Sequence, residues 1–471
     1  MKETSFLFQI KNNRHLLALV IITLIAIWLR FKGLVFQSYS NDELATIVIS
    51  DPGNNLPGVI ISALKDYSPP LYQILLWGWF SLFGFTEFVG RSFSAVVGSL
   101  SVVGMYFLAK EFINNRAALV ASLLVCINYS AIHYSQEVRN YELLFLLTIL
   151  SLLFLSRLLR IKNNRELIFY TVSSVCLVQT HYFGVLAYLA QLSFLFISCR
   201  TFPNKYIFIN AYITFISLLP AAPFIVMNAM KKSFWIKIPD RNYILEYFVA
   251  YFGDMELSVI AGLLFFLGAF YLLKGKNAKQ KNLVYLVLLS LVFIYILPYI
   301  RSMISTPMLV GRYTVSGLPL IILLIAAGIE SIQSKYIKIT AVALTIVFSA
   351  YVLMFEKDYY NTITKQQYRE AILIVQDGGK DDLVYTCHDE RVGAYYKMLG
   401  YRSPTRDYDA LMTMLDDASN RDNFWIIDGM CCGCKKWAGM NEHLINKHGL
   451  NLLVNIKKYR MQIFRYSEQG H

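Results

Sequence analysis

The chain has 471 residues, 56% of them hydrophobic and only 16% charged, with a mean hydropathy of +0.46. So apolar and charge-poor a composition excludes an ordinary water-soluble domain and makes the bilayer the principal solvent. A net charge of +13 would suit a nucleic-acid partner, but in a polytopic chain excess Lys and Arg collects in cytoplasmic loops and fixes orientation, so no nucleic acid is expected.

In chain order, the basic flank Lys2, Lys11 and Arg14 precedes an apolar run that outlasts a signal peptide and lacks a small-residue cleavage site, so it reads as the first membrane helix. About eleven transmembrane helices are predicted, near 16–36, 88–108, 117–133, 141–158, 166–183, 184–199, 206–226, 257–273, 283–300, 313–331 and 338–355. With the N-terminus inside, the inner loops hold Lys110 and Arg116; Arg157, Arg160, Lys162 and Arg165; Arg200 and Lys205; Lys274, Lys276, Lys279 and Lys281; Lys335 and Lys338. This is the asymmetry the positive-inside rule requires. The loop 227–256 is an exception, carrying Lys231, Lys232, Lys237 and Arg241 on the outer side. Either a helix is miscounted there or those cations meet an anionic partner.

The first outer loop, about 37–87, contains two apolar pieces, VIISAL (59–64) and LYQILLWGWFSLF (71–83). Both are too short to span and are read as interfacial helices, with Trp77 and Trp79 at headgroup depth. After the last span the composition turns polar. A small soluble α/β domain is expected, with a helix at 368–376, strands at 382–387 and 424–428, and a final strand pair within 451–466. The domains are therefore 1–357, in the membrane, and 358–471, on the same side as the first loop.

Groups able to carry chemistry collect on the outer face. Asp42 and Glu43 lie in SNDELAT (40–46), where one carboxylate can take the proton of an attacking hydroxyl or amine while the other positions a substrate; the competing reading is a helix cap. Glu137 and Arg139 lie in YSQEVRNYE (134–142), a turn far more polar than a short helix connection needs; they can neutralise each other, or Arg139 can grip a phosphate through two hydrogen bonds. His181 and Tyr182 lie in QTHYFG (179–184), Arg312 and Tyr313 in MLVGRYTVSGLP (308–319), and Arg91 near the start of the second span. Singly, a histidine here reads as structural and an arginine as a snorkelling anchor. Together they match a phosphate-bearing substrate with a proton acceptor.

These segments, with YSPPLYQILLWGWFSLFGFTEFVGRSFSAVVGSLSVVGMYFLAKEF (67–112), resemble the GT-C class of polyprenol-phosphate-sugar-dependent glycosyltransferases. That superfamily, glycosyltransferase family 39 among its members, includes the protein O-mannosyltransferases and the lipid A aminoarabinose transferase. The resemblance implies a GT-C-like all-α membrane fold and an inverting transfer, on the extracytoplasmic face of a prokaryotic inner (plasma) membrane. The donor would be a polyprenyl-phosphate sugar, and the acceptor a lipid, glycan or protein. Asp42 would be the catalytic base and Glu43 would orient donor or acceptor. Arg91, Arg139 and Arg312, with Lys231 or Lys232, would hold the anionic phosphate, Glu137 and Tyr313 would belong to the substrate-binding set, and His181 and Tyr182 would line the donor pocket. No residue is assigned to a metal, although a divalent cation is left open as a cofactor. Ser68 stands where a histidine often precedes the Pro-Pro pair in relatives, so any role of that histidine lapses here.

The tail also carries GMCCGCKKW (429–437). Its spacing departs from the CxxC ligand pair, and a disulfide between Cys387 and one of Cys431, Cys432 or Cys434 is favoured over a metal site. Two other classes stay open: a transporter or flippase, and a non-catalytic scaffold that binds the lipid carrier. The long acidic first loop and the lack of an inverted repeat weigh against the former, and the Asp-Glu pair against the latter.

Overall fold

The computed structural model describes residues 2–66, 68–198, 203–229, 236–275, 277–416, 423–429 and 440–468. Among them, eight helices are long and apolar enough to cross a bilayer: Arg14–Phe31, Glu87–Phe112, Tyr141–Ile161, Asn204–Phe224, Met255–Lys274, Ala278–Ile304, Gly311–Ser331 and Lys335–Glu356. A ninth span forms if Asn115–Ile127 and Tyr129–Ser135, bent by 58°, are taken together. The bend has a local cause. Asn128 leaves helical geometry (φ −67°, ψ 129°), and its side chain caps the second piece by accepting the Ala131 N–H at 2.9 Å. The expected segments 166–183 and 184–199 are Asn164–Val178 and Tyr182–Ser198. The former, at ~1.5 Å per residue, covers about 22 Å against a hydrocarbon core of about 30 Å. A turn at residues 179–181 separates the two helices.

The chain divides into two compact units, Met1–Lys32, Ile60–Tyr72 and Ser92–Tyr360 in one, and Gly33–Val59, Gln73–Arg91 and Asn361–His471 in the other. The first is the helical bundle. Its centre is Leu318–Ser331, a helix buried along nearly its whole length. Met255–Lys274 approaches it to backbone contact, for a Cβ on Gly268 would lie 1.9 Å from the Leu324 carbonyl and one on Gly328 would lie 2.0 Å from that of Leu264. Small residues at such crossings let helices associate where the solvent is as apolar as the side chains.

Ion pairs tie one end of this bundle together. Glu111 accepts Arg160 at 3.0 Å and Lys279 at 2.7 Å, and Glu330 accepts Lys338 at 3.0 Å. These are the helix ends that the charge pattern assigns to the inner side. Arg139 and Arg312 precede helices whose far ends carry Arg160 and Glu330, so they belong to the opposite end.

The second unit contains a five-stranded sheet of order β2-β1-β3-β5-β4, with β1 Leu383–Tyr385, β2 Thr405–Arg406, β3 Phe424–Asp428, β4 Leu450–Lys458 and β5 Met461–Glu468. The first three strands are parallel, linked through helices Asp389–Met398 and Tyr408–Asp416, and β5 runs antiparallel to both β3 and β4. The β4–β5 turn uses Arg460 in the left-handed region (φ 51°). One core packs Tyr385, Leu411, Leu415, Phe424, Ile426 and Phe464. In the first loop, Leu56–Lys65 and Leu71–Phe83 are helices of 10 and 13 residues, too short to span as expected. Trp77 donates to the Asn54 carbonyl and Trp79 to that of Val89.

Candidate active site

The acidic pair sits at the start of helix Asn41–Ile49. Ser40 is its N-cap, and Ser40 and Glu43 form a capping box: the Glu43 N–H donates to Ser40 Oγ, and the Ser40 N–H donates to Glu43 Oε2 at 2.9 Å. The cap is thus Ser40, not Asp42. Asp42 occupies the first turn, half-buried, where the helix dipole favours its negative charge.

Glu43 is fully buried. Arg91 Nε meets Oε1 at 3.3 Å and Lys365 Nζ meets Oε2 at 2.9 Å. Burial by itself would raise the Glu43 pKa, but Lys365, Arg91 and the Ser40 N–H outweigh it and hold the carboxyl well below the usual range. Arg91, only 1% exposed, spends all five of its N–H donors internally, on the Glu43 carboxylate and the carbonyls of Leu34, Gln37 and Ser38. Its guanidinium lies over the Tyr39 ring, 4.6 Å from the centroid. The phosphate contact expected of Arg91 therefore finds no donor to spare in this arrangement.

The second group lies in the helical bundle. His181, in the turn between Asn164–Val178 and Tyr182–Ser198, packs 4.8 Å from the Tyr313 ring and 6.1 Å from Tyr141. Arg139 and Arg312 both lie over Tyr141, at 5.8 and 5.9 Å from its centroid. Burial first, then Arg139 and Arg312, push the His181 imidazole down to about 3, so it is neutral at physiological pH. Its Nδ1 accepts the Phe183 N–H at 3.0 Å, which puts the proton on Nε2 as a donor. Tyr141 is 1% exposed, and its hydroxyl has no hydrogen-bond partner among the described residues. Two guanidiniums, a neutral imidazole N–H and an orphaned phenol in one cluster suit an oxyanion.

The remaining expectations resolve individually. Glu137 Oε1 meets His133 Nε2 at 3.4 Å, one helical turn away. The Tyr182 hydroxyl has no hydrogen-bond partner among the described residues, and the ring contacts to Tyr313 come from His181, Phe183 and Tyr141. Ser68 Oγ accepts from Asn140 Nδ2 at 3.2 Å, and the same amide donates to the Thr180 carbonyl at 2.8 Å, so this position braces the turns carrying Arg139 and His181. Lys231, Lys232 and the cysteines at 431, 432 and 434 lie outside the described residues; Cys387 is disulfide-bonded. Among the described residues no three His, Cys, Asp or Glu side chains gather to hold a metal. The sequence reading missed Tyr141, His133 and Lys365. Tyr141 was visible inside the polar turn and His133 four residues before Glu137, whereas nothing local marks Lys365.

Residues 67–226 match the family model described as dolichyl-phosphate-mannose-protein mannosyltransferase. No curated protein matches the sequence. Among solved structures, ArnT from Cupriavidus metallidurans in its apo state is 10% identical with a TM-score of 0.64, over 97% of this chain and 98% of that one. The same protein bound to undecaprenyl phosphate gives 11%, 0.63, and coverage of 96% and 97%. The archaeal oligosaccharyltransferase AglB from Archaeoglobus fulgidus, in complex with an inhibitory peptide and a dolichol-phosphate, gives 13%, 0.56, and coverage of 91% and 71%. Identities this low speak for the fold, and the match over 67–226 supplies the sequence kinship. The chain is thus a multi-pass membrane protein whose fold is similar to those of ArnT and AglB, and its residues 67–226 are similar in sequence to the dolichyl-phosphate-mannose-protein mannosyltransferases.

Proposed function

We propose that the protein transfers a sugar from a polyprenyl-phosphate-linked donor to a lipid, glycan or protein acceptor on the extracytoplasmic face of the plasma membrane. The observation that carries this reading is the cluster of Arg139, Arg312, neutral His181 and the orphaned Tyr141 hydroxyl, whose chemistry suits an oxyanion, on a membrane protein with this fold. The lipid phosphate bound to ArnT and the dolichol-phosphate bound to AglB support a donor of the same chemistry. The helix ends joined through Glu111 and Glu330 support an orientation with this cluster outside, since they carry the basic loops.

In the reaction, an acceptor hydroxyl or amine attacks the anomeric carbon, the bond from that carbon to the phosphate oxygen breaks, and the polyprenyl phosphate leaves with the electron pair. Asp42 takes the acceptor proton, and attack opposite the leaving group inverts the anomeric configuration. The leaving phosphate is a stable anion, so it needs cations and N–H or O–H donors rather than a strong acid. Arg139, Arg312, His181 Nε2 and Tyr141 supply them, with Tyr313 packing beside the imidazole. Glu43 and Arg91 keep the Asp42 helix in place.

Comparison by mass spectrometry of envelope lipids, glycans and glycoproteins from wild-type, deletion and Asp42→Asn cells tests this reading. One sugar missing from one acceptor in both altered strains is expected, with turnover in the variant lowered by about 10³-fold or more. If the deletion loses the sugar and Asp42→Asn keeps it, the protein supplies the glycan by transport or scaffolding instead.

A further inference from the structure

We propose that Lys365, in the C-terminal region, is a positioning residue for the transfer reaction, acting through Glu43 on the helix that carries Asp42; the inference rests on Asp42 being the base. Glu43 Oε2 is a shared acceptor. It takes Lys365 Nζ at 2.9 Å, the Ser40 N–H at 2.9 Å and Ser40 Oγ at 3.1 Å. Lys365 and the N-cap of the Asp42 helix are therefore fastened to one oxygen atom. Arg91 bonds the other oxygen more closely, at 3.3 Å against 3.5 Å.

The lysine does not reach Glu43 by chance of a long side chain. Its backbone N–H donates to Gln37 Oε1 at 3.0 Å, and the same oxygen accepts the Thr364 N–H and hydroxyl at 2.9 and 3.0 Å. Four residues on, Arg369 donates to the carbonyls of Val35 and Phe36 and pairs with Glu87 at 2.6 Å. Residues 364–369 thus grip both sides of the short segment 35–43, and the Lys365 side chain is only 10% exposed. Without it, a fully buried carboxylate keeps one cation where it now has two, and the atom it loses contact through is the one that closes the capping box. The Asp42 helix start then loses its fixed position. A displacement of this kind lowers turnover while leaving the phosphate-binding cluster, and hence donor affinity, untouched.

The test uses full-length protein in deletion-strain membranes, with the lipid extract of those membranes as the donor probe. Lys365→Met is expected to lower kcat by about 30-fold, with donor KM within about twofold of wild type. Lys365→Arg restores most of the loss, because charge is returned within reach of Oε2. Lys397→Met, which breaks the exposed 2.6 Å pair with Asp51 in the same unit, leaves kcat near wild type. Wild-type turnover in Lys365→Met, or an equal loss in Lys397→Met, overturns the proposal. Should Lys365→Met fail to accumulate, Gln37→Ala decides, since it unfastens the backbone of Thr364 and Lys365 while leaving the ammonium group itself in place. A several-fold fall in kcat at unchanged donor KM is expected of it, and wild-type kcat overturns the proposal. Asp42→Asn in the same assay separates the two readings. Activity retained there sinks the assignment of the base, whatever Lys365 does.

Discussion

The two polar groups differ in how completely they are satisfied from within. Around Glu43, each donor of Arg91 has an acceptor, and the carboxylate holds two cations and both groups of Ser40. Around Tyr141, a buried hydroxyl has no partner among the described residues, and an imidazole offers Nε2–H between two guanidiniums. A saturated network holds its shape without substrate. A buried hydroxyl without a partner is costly until something fills the site beside it. The same residue type, arginine beside an aromatic ring, thus serves as a brace at Arg91, whereas at Arg139 the proposed role is to hold the donor phosphate.

The sharpest way to break this contrast is to truncate one arginine from each group. Arg91→Ala leaves a fully buried carboxylate short of a partner, and breaking such a pair costs about 3–5 kcal/mol. The expected result is loss of folded protein from the membrane, measured as abundance and thermal unfolding in detergent. A stable Arg91→Ala protein with a raised donor KM would instead make Arg91 a donor ligand, as the sequence alone suggested. Arg139→Ala should do the reverse. Charged hydrogen bonds lost to a phosphate are worth about 1.5–3 kcal/mol, so donor KM rises by about 10- to 100-fold while unfolding temperature stays within a few degrees. Unchanged donor dependence would class Arg139 with Arg91.

Why the sequence separated these roles poorly is itself physical. Membrane spans are legible because each needs a long charge-poor run: of the eleven expected segments, eight are helices long and apolar enough to cross and a ninth is the bent pair at 115–135, whereas Asn164–Val178 and Tyr182–Ser198 are shorter. The strands at 424–428 and 450–468 are legible from their apolar and β-branched content, whereas β2 has two residues and leaves no pattern. At the site, residue type reveals that chemistry is present but not which donors are already spent. Arg91 and Arg139 look alike in sequence because their difference lies in carbonyls at Leu34, Gln37 and Ser38, 53 to 57 residues away. Lys365 is harder still, since its partner is 322 residues distant and its own surroundings, NTITKQQYRE, carry no motif. Long-range ionic contacts of this kind have no local signature.

The smallest expected effect concerns acid. The folded-state pKa of Glu43 lies below its unfolded value, so the unfolded state binds more protons as pH falls. The stabilisation from ionised Glu43 is therefore fully present above the unfolded value, near ~4.3, and is lost progressively as pH drops below it towards the folded pKa. Thermal unfolding of wild type and Glu43→Gln should differ most at neutral pH, and the gap should narrow as pH falls through 5 to 4 and below. An arginine stays charged throughout that range, so the narrowing reports the carboxylate and not Arg91. A gap that widens towards acid would mean that Glu43 is protonated in the folded protein, and the saturated ionic network would no longer distinguish this region from the cluster around Tyr141.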